Sequence, residues 1–363
     1  MKIICFLVKI KEKENCVLKN LKEDYFNPFF SHIYVEKSIW NHKRTQQILG
    51  KFPSATVIEI GHYKDVFCRT KQNNQLQHIT QKLILAAKQG TLLYEGAPVC
   101  QSFGNQYFYY TSCIMNCIFD CTYCYLKGMY PSANIVVFVN LEDIFAEIEQ
   151  ILANHPLYLC ISYDTDLMAM ESITGYVQEW YYFAAKHEHL KIEVRTKCAN
   201  KTFIQKIPPI SEVIYAFTLS PQAIIENYEY HTPSLSERLS CAADLIRAGY
   251  PIRLCFDPMI YVPDWRQHYE EMLEQVFCMI DLQKTVDVSV GTFRISQEYL
   301  KNMRKQNPES AVIWFPFQND GGYCHYPDNL MEQMECFLIH KLEQEISREK
   351  IFRWRSKKET QQL

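Results

Sequence analysis

The sequence carries little net charge and contains no long hydrophobic run. Its 38 Lys and Arg residues are balanced by 41 Asp and Glu residues, which gives a formal net charge of −3. This balance argues against a protein coated with positive charge for nucleic acid, although it leaves room for a local basic face. No stretch approaches the roughly 18 uncharged apolar residues of a membrane helix. We therefore expect no membrane-spanning segment.

Several other features are missing. The sequence has no Walker-type phosphate loop and no obvious cluster of nuclease carboxylates, so neither nucleotide hydrolysis nor strand cleavage is expected. It has no internal repeat and no low-complexity linker. The first residues, "MKIICFLVKIKEKENC", are interrupted by charges too early for a secretory leader. The cytoplasm is therefore the expected location.

The chain does contain fifteen cysteines, 24 tyrosines and 21 phenylalanines. In a reducing compartment most cysteines are small buried hydrophobes, so only a ligand-like spacing calls for a special explanation. Most of the aromatic rings are expected in the core, although flat rings also stack on bases.

The order of predicted strands and helices divides the chain into three regions. Residues 1–100 alternate strands such as "HIYVEKSI" with helical segments, which predicts a small α/β domain. Residues 101–285 contain six strand-then-helix units of about 25 to 35 residues, which predict a partial parallel (β/α)6 barrel with its chemistry at the carboxyl ends of the strands. In residues 286–363, Asp320-Gly321-Gly322 predicts a tight β-hairpin, followed by a helix and a basic tail.

Cys117, Cys121 and Cys124 lie in "CIFDCTYCY", directly after the first strand of the predicted barrel. Three explanations compete. On one face of a helix, the three side chains would simply pack in the core. Structural zinc would need a second cysteine pair or a closing histidine, and only one C-x-x-C is present. A [4Fe–4S] cluster held by three thiolates would leave one iron open for S-adenosylmethionine, and the spacing within a barrel favours this explanation.

The cysteine loop resembles that of the radical S-adenosylmethionine superfamily and, more narrowly, of the spore photoproduct lyase family. In that family tyrosines also precede and follow the third cysteine, as in "CIFDCTYCYL". The segments "IIENYEYHTPSLSERLSCAADLIRAGYPI" and "DPMIYVPDW" resemble the family's central segment in order and spacing, so that the resemblance covers residues 105–300. It implies a barrel of the radical S-adenosylmethionine type and an enzyme that reverts 5-thyminyl-5,6-dihydrothymine, an ultraviolet-induced DNA lesion.

The resemblance also implies residues that bind the cofactor. It places Thr165 and Asp166 of "YDTD" beside S-adenosylmethionine, Lys197 of "VRTK" on the methionine carboxylate and Thr218 of "FTLS" near the same group. Each lies at the carboxyl end of a predicted strand, where a cation and short hydroxyls can meet the cofactor.

One position departs from the family pattern. The family has a cysteine that returns a hydrogen atom to the repaired thymine, and the alignment places Tyr163 there. Cys160 is three residues away, so strand alternation points its side chain to the opposite face. Three explanations are open: Tyr163 is the donor, Cys324 of "GGYCHYP" is the donor, or the protein acts on a related lesion with a different termination step. We favour Cys324, because a phenolic hydrogen is harder to abstract than that of a thiol. By resemblance, Tyr123 and Tyr125 relay or regenerate the radical.

A dinucleotide lesion cannot be reached inside the base stack, so the enzyme must flip it into the barrel mouth. The candidate DNA contacts are aromatic and basic residues near the strand ends: Tyr261, Trp265, Arg266, Arg294, Tyr323 and Tyr326. An aromatic hairpin could hold the bent duplex open as a wedge. The tail from Arg348 to Lys358 has six basic residues against one acidic residue and suits backbone phosphates, although it is equally well explained as the solvated end of a helix.

The sequence therefore predicts a lyase that repairs ultraviolet-damaged DNA directly. It would use a [4Fe–4S] cluster, S-adenosylmethionine and an electron donor such as flavodoxin or ferredoxin. Two alternatives stay open at this point. The same cofactor could serve an RNA or peptide substrate, or the chain could be a zinc-stabilised nucleic-acid-binding module without enzymatic activity.

Overall fold

The structure is a computed structural model that describes residues 30–97, 100–202, 204–307 and 310–354. Two sheets with mostly parallel strands dominate this part of the chain, and helices lie in the connections. The predicted α/β class with parallel sheets is confirmed. No helix within the described ranges has both the length and the apolar character that crossing a membrane requires.

The strands are β1 (His32–Glu36), β2 (Thr56–Ile60), β3 (Leu83–Ala86), β4 (Leu93–Glu95), β5 (Phe108–Thr111), β6 (Ile114–Met115), β7 (Asp120–Cys121), β8 (Ile135–Phe138), β9 (Leu157–Cys160), β10 (Leu190–Thr196), β11 (Val213–Thr218), β12 (Glu229–Tyr230), β13 (Ile252–Met259), β14 (Val288–Thr292), β15 (Arg294–Ser296), β16 (Gln318–Asp320), β17 (Tyr323–His325) and β18 (Ile351–Arg353). The α-helices are α1 (Lys43–Leu49), α2 (Lys64–Phe67), α3 (Asn74–Ile79), α4 (Leu126–Met129), α5 (Leu141–Leu152), α6 (Glu171–Thr174), α7 (Tyr176–Ala184), α8 (Gln222–Tyr228), α9 (Leu235–Arg247), α10 (Trp265–Met279), α11 (Gln297–Gln306) and α12 (Asp328–Leu342). Short 3₁₀ turns cover Lys37–Ile39, Ile204–Lys206, Leu282–Lys284 and Arg348–Lys350.

The first sheet has the strand order β2-β1-β3-β8-β6. Its strands β3 and β8 consist of the sequences "LILA" and "IVVF", in which every residue is buried, as expected for parallel strands covered on both faces. The sequence predicts β8 as a barrel strand, but β8 pairs with β3 in this sheet instead. The strand pattern marks a buried parallel strand without identifying its partner, which explains the difference.

The second sheet has the order β18-β14-β13-β11-β10-β9-β5-β4. Six consecutive strands from β5 to β14 run parallel, with β4 antiparallel at one edge and β18 parallel at the other. The second sheet therefore has the six parallel strands that the sequence predicts. The sixth is β14, whereas the sequence predicts β8 as one of the six. Helix connections such as α9 begin at well-defined caps, since Ser234 and Glu237 form a reciprocal capping box there.

One face of the second sheet is unusually polar. Glu193 on β10 and Arg253 on β13 are both at least 97% buried and point to this face, which we call the polar face. The guanidinium of Arg253 donates hydrogen bonds to Glu193 and Asp287, so these charges are paired. Burial opposes ionisation of Glu193, but Arg195 and Arg253 beside it hold the pKa of that carboxyl below its usual value.

The C-terminal region begins with a three-stranded sheet of order β15-β17-β16. Gly321 and Gly322, at φ 59° and φ 91°, make the turn between β16 and β17, which confirms the tight hairpin predicted there. The start of the basic tail forms β18 at the edge of the second sheet, so it is not a solvated helix end. Arg353 of this strand is paired with Glu332 and Glu335, and residues 355–358 of the tail lie outside the described residues.

Candidate active site

The cysteine loop is held at both of its ends and in its middle. Before it, Asn116 adopts a left-handed φ of 68°, and its side-chain amide donates hydrogen bonds to the carbonyls of Ser132 and Asn134. In the middle, β7 pairs with β12, which places Cys121 opposite Glu229. Helix α4 follows the loop and packs on α11 so closely that a Cβ at Gly128 would overlap the α11 backbone. These contacts fix the three thiols relative to one another.

The three thiols lie together in a desolvated environment. Cys121 is buried, while Cys117 and Cys124 are half-buried. Burial raises the pKa of all three thiols, that of Cys121 to about 12, and the neighbouring thiols of the triad raise the pKa of Cys117 further. Thiolates therefore need positive charge nearby, and the Lys197 ammonium lies 3.5 Å from the Cys121 sulfur.

Three thiols on one loop are the ligand number expected for a cluster that keeps one iron open. A [4Fe–4S] cluster takes one thiolate on each of several irons. Three neighbouring thiols on one loop, with a cation at one of them, match that ligand set.

Lys197 is positioned by a buried carboxylate that the sequence analysis missed. Glu229 lies 3.4 Å from the Lys197 ammonium and 2.6 Å from the guanidinium of Arg238, and it accepts a hydrogen bond from the hydroxyl of Tyr123. Burial opposes ionisation of Glu229, but Arg238 and Lys197 lower the pKa of that carboxyl to about 2. Glu229 stands in "ENYEYHTP", within the segment that carries the family resemblance, yet its partners are distant in sequence.

Of the other predicted cofactor residues, Asp166 already accepts several hydrogen bonds from the protein itself. Its carboxylate accepts hydrogen bonds from the Thr196 hydroxyl at 2.8 Å, the Lys197 backbone N–H at 2.6 Å and the Ala169 N–H at 3.1 Å. Asp166 therefore fixes the end of β10, from which the Lys197 side chain extends. Its pKa is raised by burial and lowered in part by these donors.

Thr165 and Thr218 are both buried: Thr218 is the last residue of β11, and Thr165 lies in the segment that follows β9. The Thr165 hydroxyl has no hydrogen-bond partner among the described residues, so it is available to a polar ligand. The Thr218 carbonyl accepts a hydrogen bond from Arg238 at 3.1 Å, and this bond links the end of β11 to the network around Glu229.

Tyr125 and Tyr163 meet beside the cysteine loop. The Tyr125 hydroxyl donates a hydrogen bond to the Tyr163 carbonyl, and the two rings are 5.7 Å apart. The Tyr163 ring also stacks on the Tyr110 ring, with the ring centres 4.2 Å apart. The thiol of Cys100, a residue that no sequence motif singles out, donates a hydrogen bond to the Tyr163 hydroxyl at 3.5 Å.

The sequence analysis weighs two cysteines as hydrogen-atom donors, Cys324 and Cys160. Cys324 pairs with Ile295 on the face of its hairpin opposite to Arg294, is buried, and accepts a hydrogen bond from Asn319 at 3.6 Å. Cys160 stands in register with Glu193, so its side chain is on the polar face. The alternation argument about Cys160 fails because Tyr163 lies beyond the end of β9, where the strand period no longer applies.

Burial corrects part of the predicted DNA-contacting set. Trp265 is 5% exposed and Tyr326 is 1% exposed, so both rings belong to the core and cannot stack on a base. Arg294 is committed to a bidentate ion pair with Asp257 at 2.9 and 3.0 Å. All three side chains are packed or paired within the protein.

The remaining three candidates are accessible to different degrees. Arg266 is exposed, lies over the Trp265 ring at 4.4 Å and donates a hydrogen bond to Gln333 at 3.2 Å. Tyr261 and Tyr323 are half-buried, and Tyr323 lies on the hairpin beside its turn. Their contact with DNA stays a prediction.

Comparison with known proteins gives a consistent set of relatives. A sequence model of the family described as spore photoproduct lyase matches residues 32–312. The spore photoproduct lyase of Clostridium acetobutylicum is 24% identical over 239 residues, which covers 62% of this chain and 70% of that protein. The spore photoproduct lyase of Bacillus subtilis is 19% identical over 305 residues, which covers 79% of this chain and 85% of that protein.

Solved structures share the fold. A spore photoproduct lyase complexed with dinucleoside spore photoproduct aligns with a TM-score of 0.76 at 17% identity, over 90% of this chain and 99% of that one. A double mutant of spore photoproduct lyase with bound AdoMet and dinucleoside spore photoproduct aligns with a TM-score of 0.75 at 17% identity, over 90% of this chain and 99% of the other. This likeness confirms the predicted fold.

Proposed function

Because the chain belongs to the spore photoproduct lyase family, whose sequence model matches residues 32–312, we propose that it is a radical S-adenosylmethionine lyase. Its substrate would be 5-thyminyl-5,6-dihydrothymine in DNA, which it would revert to two thymines without excising bases. The observation that carries the proposal is the grouping of three desolvated thiols with the Lys197 ammonium 3.5 Å from one of them. The names of the relatives and of the aligned structures support the substrate.

Different residues of the site would bind the two cofactors, a [4Fe–4S] cluster and S-adenosylmethionine. Cys117, Cys121 and Cys124 would bind three irons of a [4Fe–4S] cluster. Lys197 would pair with the carboxylate of S-adenosylmethionine, and the unpartnered hydroxyl of Thr165 would bind another of its polar groups. Once bound, these groups would supply a 5'-deoxyadenosyl radical that abstracts a hydrogen atom from the lesion.

The protein's own phenols would stay protonated and fixed in place. Burial raises the pKa of Tyr123 and Tyr125 well above its usual value, so both keep their hydroxyl hydrogen at neutral pH. Glu229 accepts the Tyr123 hydrogen and the Tyr163 carbonyl accepts that of Tyr125. Both rings flank Cys124, so we propose that they carry or restore the unpaired electron close to the cluster.

Partners and location extend this proposal. The substrate would be ultraviolet-damaged DNA, which Tyr261, Arg266 and Tyr323 would contact, and a flavodoxin or ferredoxin would supply electrons. A cytoplasmic location suits such a redox partner. It is supported by the thirteen cysteines of the described residues, which are all free thiols, as is usual in a reducing compartment.

The deciding experiment combines an iron measurement with an anaerobic assay. Reconstituted protein should bind about four irons per chain and, with S-adenosylmethionine and dithionite, convert dinucleoside spore photoproduct to thymidylyl-thymidine. Replacing Cys117, Cys121 or Cys124 with Ala should abolish both. Cys198→Ala is the matched control, because Cys198 is buried close to Cys117 but lies outside the triad. Conversion of irradiated RNA or of a peptide instead of the DNA lesion would contradict the proposed substrate.

A further inference from the structure

Helix α3 has the reverse of the usual distribution of polar and apolar side chains. Asn74 is buried, and Gln77 and His78 are half-buried, so its polar side chains face the protein. Leu76 and Ile79 face outward and are 62% and 78% exposed, which makes them the two most exposed large hydrophobic side chains of the described residues. A surface helix normally buries its apolar face. The described part of the chain therefore leaves the apolar face of α3 largely uncovered.

The inner side chains of α3 connect it to the cysteine loop. His78 Nδ1 lies 3.6 Å from Oδ1 of Asp120, which is on β7 in the middle of that loop. Just after α3, the side-chain amide of Gln81 donates a hydrogen bond of 3.0 Å to the Cys117 carbonyl. Because the inner side of α3 contacts the loop, its apolar outer face lies on the solvent side of the three thiols.

The pair of strands β7 and β12 adds a third exposed apolar side chain beside α3. Tyr230 is 46% exposed and stands directly opposite Asp120, so both side chains lie on the same face of this pair, the face that Asp120 turns towards α3. The next residues along the two strands, Cys121 and Glu229, lie on the other face. The two strands thus separate Tyr230 from the Cys121 side chain. Leu76, Ile79 and Tyr230 together form what we call the α3 patch.

The sequence around α3 is basic, although the whole chain is slightly acidic. Residues 61–82 contain four Lys and Arg side chains and one Asp, an excess of three positive charges, whereas the chain has a formal net charge of −3. Arg69 and Lys71 are exposed. Their segment is bound to α3, because the Gln72 side chain donates to the Arg69 carbonyl at 2.9 Å and accepts a hydrogen bond from Gln77 at 2.6 Å. An apolar patch with basic side chains beside it is complementary to an acidic protein surface.

We propose that the α3 patch is the docking site of the one-electron carrier protein that reduces the cluster, and that the carrier binds through an acidic face. The inference rests on the proposed function and deepens it by assigning a surface to the electron donor. It is carried by the exposed apolar face of α3, the excess of positive charge beside it and the contacts of α3 with the cysteine loop. In the transfer, one electron leaves the reduced carrier and enters the cluster, and no covalent bond forms or breaks.

The apolar centre of the α3 patch favours a protein over a nucleic acid. Proteins hold DNA phosphates with Lys, Arg and other hydrogen-bonding side chains, and they stack bases on aromatic rings. The aliphatic side chains of Leu76 and Ile79 suit neither contact. A protein interface, in contrast, buries an apolar core inside a polar rim.

Binding measurements test the site without turnover. Full-length reconstituted protein is titrated calorimetrically with a flavodoxin and, separately, with a ferredoxin, and the carrier that binds more tightly is kept. The double variant Leu76→Ser/Ile79→Ser should bind this carrier at least about tenfold more weakly, because it loses the apolar centre of the interface. Tyr182→Ser/Met279→Ser is the matched control, since it removes two side chains that are 52% and 40% exposed on α7 and α10, and it should bind as the wild type does.

Stopped-flow measurement of cluster absorbance separates docking from the redox reaction. At a low concentration of reduced carrier, the Leu76→Ser/Ile79→Ser variant should be reduced at least about tenfold more slowly than the wild type. Dithionite needs no docking site, so it should reduce both proteins at the same rate. Arg69→Glu/Lys71→Glu should also slow the reaction with the carrier at low salt, and high salt should diminish this difference by screening the charges.

Three results would overturn the proposal. The first is an unchanged carrier affinity and reduction rate in the Leu76→Ser/Ile79→Ser variant. The second is a wild-type protein that dithionite reduces but neither carrier does. The third is a variant that binds the carrier normally but has lost affinity for a lesion-containing duplex or has changed its oligomeric state in sedimentation, which would assign the α3 patch to DNA or to a second copy of the chain.

The outcomes also separate this inference from the proposed function. A wild-type protein that the carrier reduces through the α3 patch, but that never converts the lesion, would contradict the proposed function and not the docking site. A protein that converts the lesion with dithionite, while the carrier acts equally on the wild type and the Leu76→Ser/Ile79→Ser variant, would contradict only the docking site.

Discussion

At the scale of single residues, Lys197 has the most demanding position. Its side chain is 16% exposed, and its ammonium lies beside the Cys121 sulfur, the Tyr123 hydroxyl and Glu229. Coulombic attraction from Cys121 and Glu229 overcomes the effect of burial and raises the pKa of Lys197, so it remains charged. A permanently charged ammonium at this point is suited to a carboxylate ligand.

We expect Lys197→Met to weaken binding of S-adenosylmethionine by about 10- to 100-fold, which corresponds to loss of a charged hydrogen bond of about 1.5–3 kcal/mol. Equilibrium dialysis with reconstituted protein measures this directly. Lys191→Met is the control, because Lys191 is on β10, the strand that Lys197 directly follows, but donates its hydrogen bonds to Ser211 at the surface. Equal affinities in the wild type and the Lys197 variant would show that another group binds the carboxylate.

At the residue scale, a local spacing in the sequence could predict which thiols lie together, while their role as metal ligands stays a prediction. The three cysteines are four and three residues apart, and the structure brings them together as expected. Glu229 and Cys100 have no comparable spacing to their partners in the sequence. Glu229 bonds to Tyr123 across 106 residues, and Cys100 bonds to Tyr163 across 63 residues, so only the folded chain reveals either contact.

At the scale of elements, the start of α7 depends on a buried carboxyl. Glu171 on α6 accepts hydrogen bonds from the N–H groups of Val177 at 2.7 Å and Gln178 at 3.0 Å, which satisfies the first turn of α7. Burial raises the pKa of Glu171 from 4.5 to about 7, although these donors and Lys51 oppose the rise. The folded chain therefore holds this proton more tightly than the unfolded chain does.

Stability should fall as pH rises through this window. Between pH 4.5 and about 7 the unfolded state binds fewer protons, so the wild-type free energy of unfolding should decrease by about 3 kcal/mol from Glu171 alone. Glu171→Gln should remove this part of the slope, as measured by urea unfolding across that range. Glu188→Gln, at a side chain that is 87% exposed, should leave the slope unchanged.

The hairpin of β16 and β17 is the second element with a testable role. If Tyr323 stacks on an unpaired base, Tyr323→Ala should weaken binding of a lesion-containing duplex by about 1–3 kcal/mol and leave binding of the dinucleoside lesion unchanged. Fluorescence anisotropy on both ligands provides the comparison. Tyr182→Ala removes an exposed tyrosine from α7 and should affect neither. Equal losses on both ligands would place Tyr323 in the lesion pocket rather than on the duplex.

Element types were more predictable than element partners. The hairpin could be located from Asp320-Gly321-Gly322, because two consecutive residues with positive φ favour glycine. The exchange of β8 for β14 could not be predicted. Both strands are fully buried, but β8 is the apolar run "IVVF", whereas β14 is "VSVGT", whose Ser, Gly and Thr weaken the signal of a buried strand. Which sheet each one joins depends on contacts with strands far away in sequence.

At the scale of the whole molecule, Arg253 connects several strands of the second sheet through buried ion pairs. Its guanidinium bonds to Glu193 on β10 and to Asp287 just before β14, and it lies 3.2 Å from the centre of the Phe103 ring. Three charges buried on one face are stable only while all are paired, because each left alone would lose its hydration without compensation.

We expect Arg253→Met to lower the free energy of unfolding by about 3–5 kcal/mol, since it leaves the carboxylates of Glu193 and Asp287 without their partner. Urea unfolding of the full chain measures the loss. Arg247→Met, at a side chain that is 72% exposed, should change stability little. A small effect at Arg253 would mean that water or a cation replaces the guanidinium.

The pairing of β7 with β12 bears on when the proposed cluster can be assembled. The strand before the cysteine loop, β6, and the strand after it, β8, join the first sheet, while Cys121 itself is held opposite Glu229, more than a hundred residues later. During synthesis, a chain that has emerged only as far as the third cysteine has its thiols but not the scaffold that spaces them. We therefore expect iron and sulfide to be delivered after translation, to a polypeptide that is already largely folded.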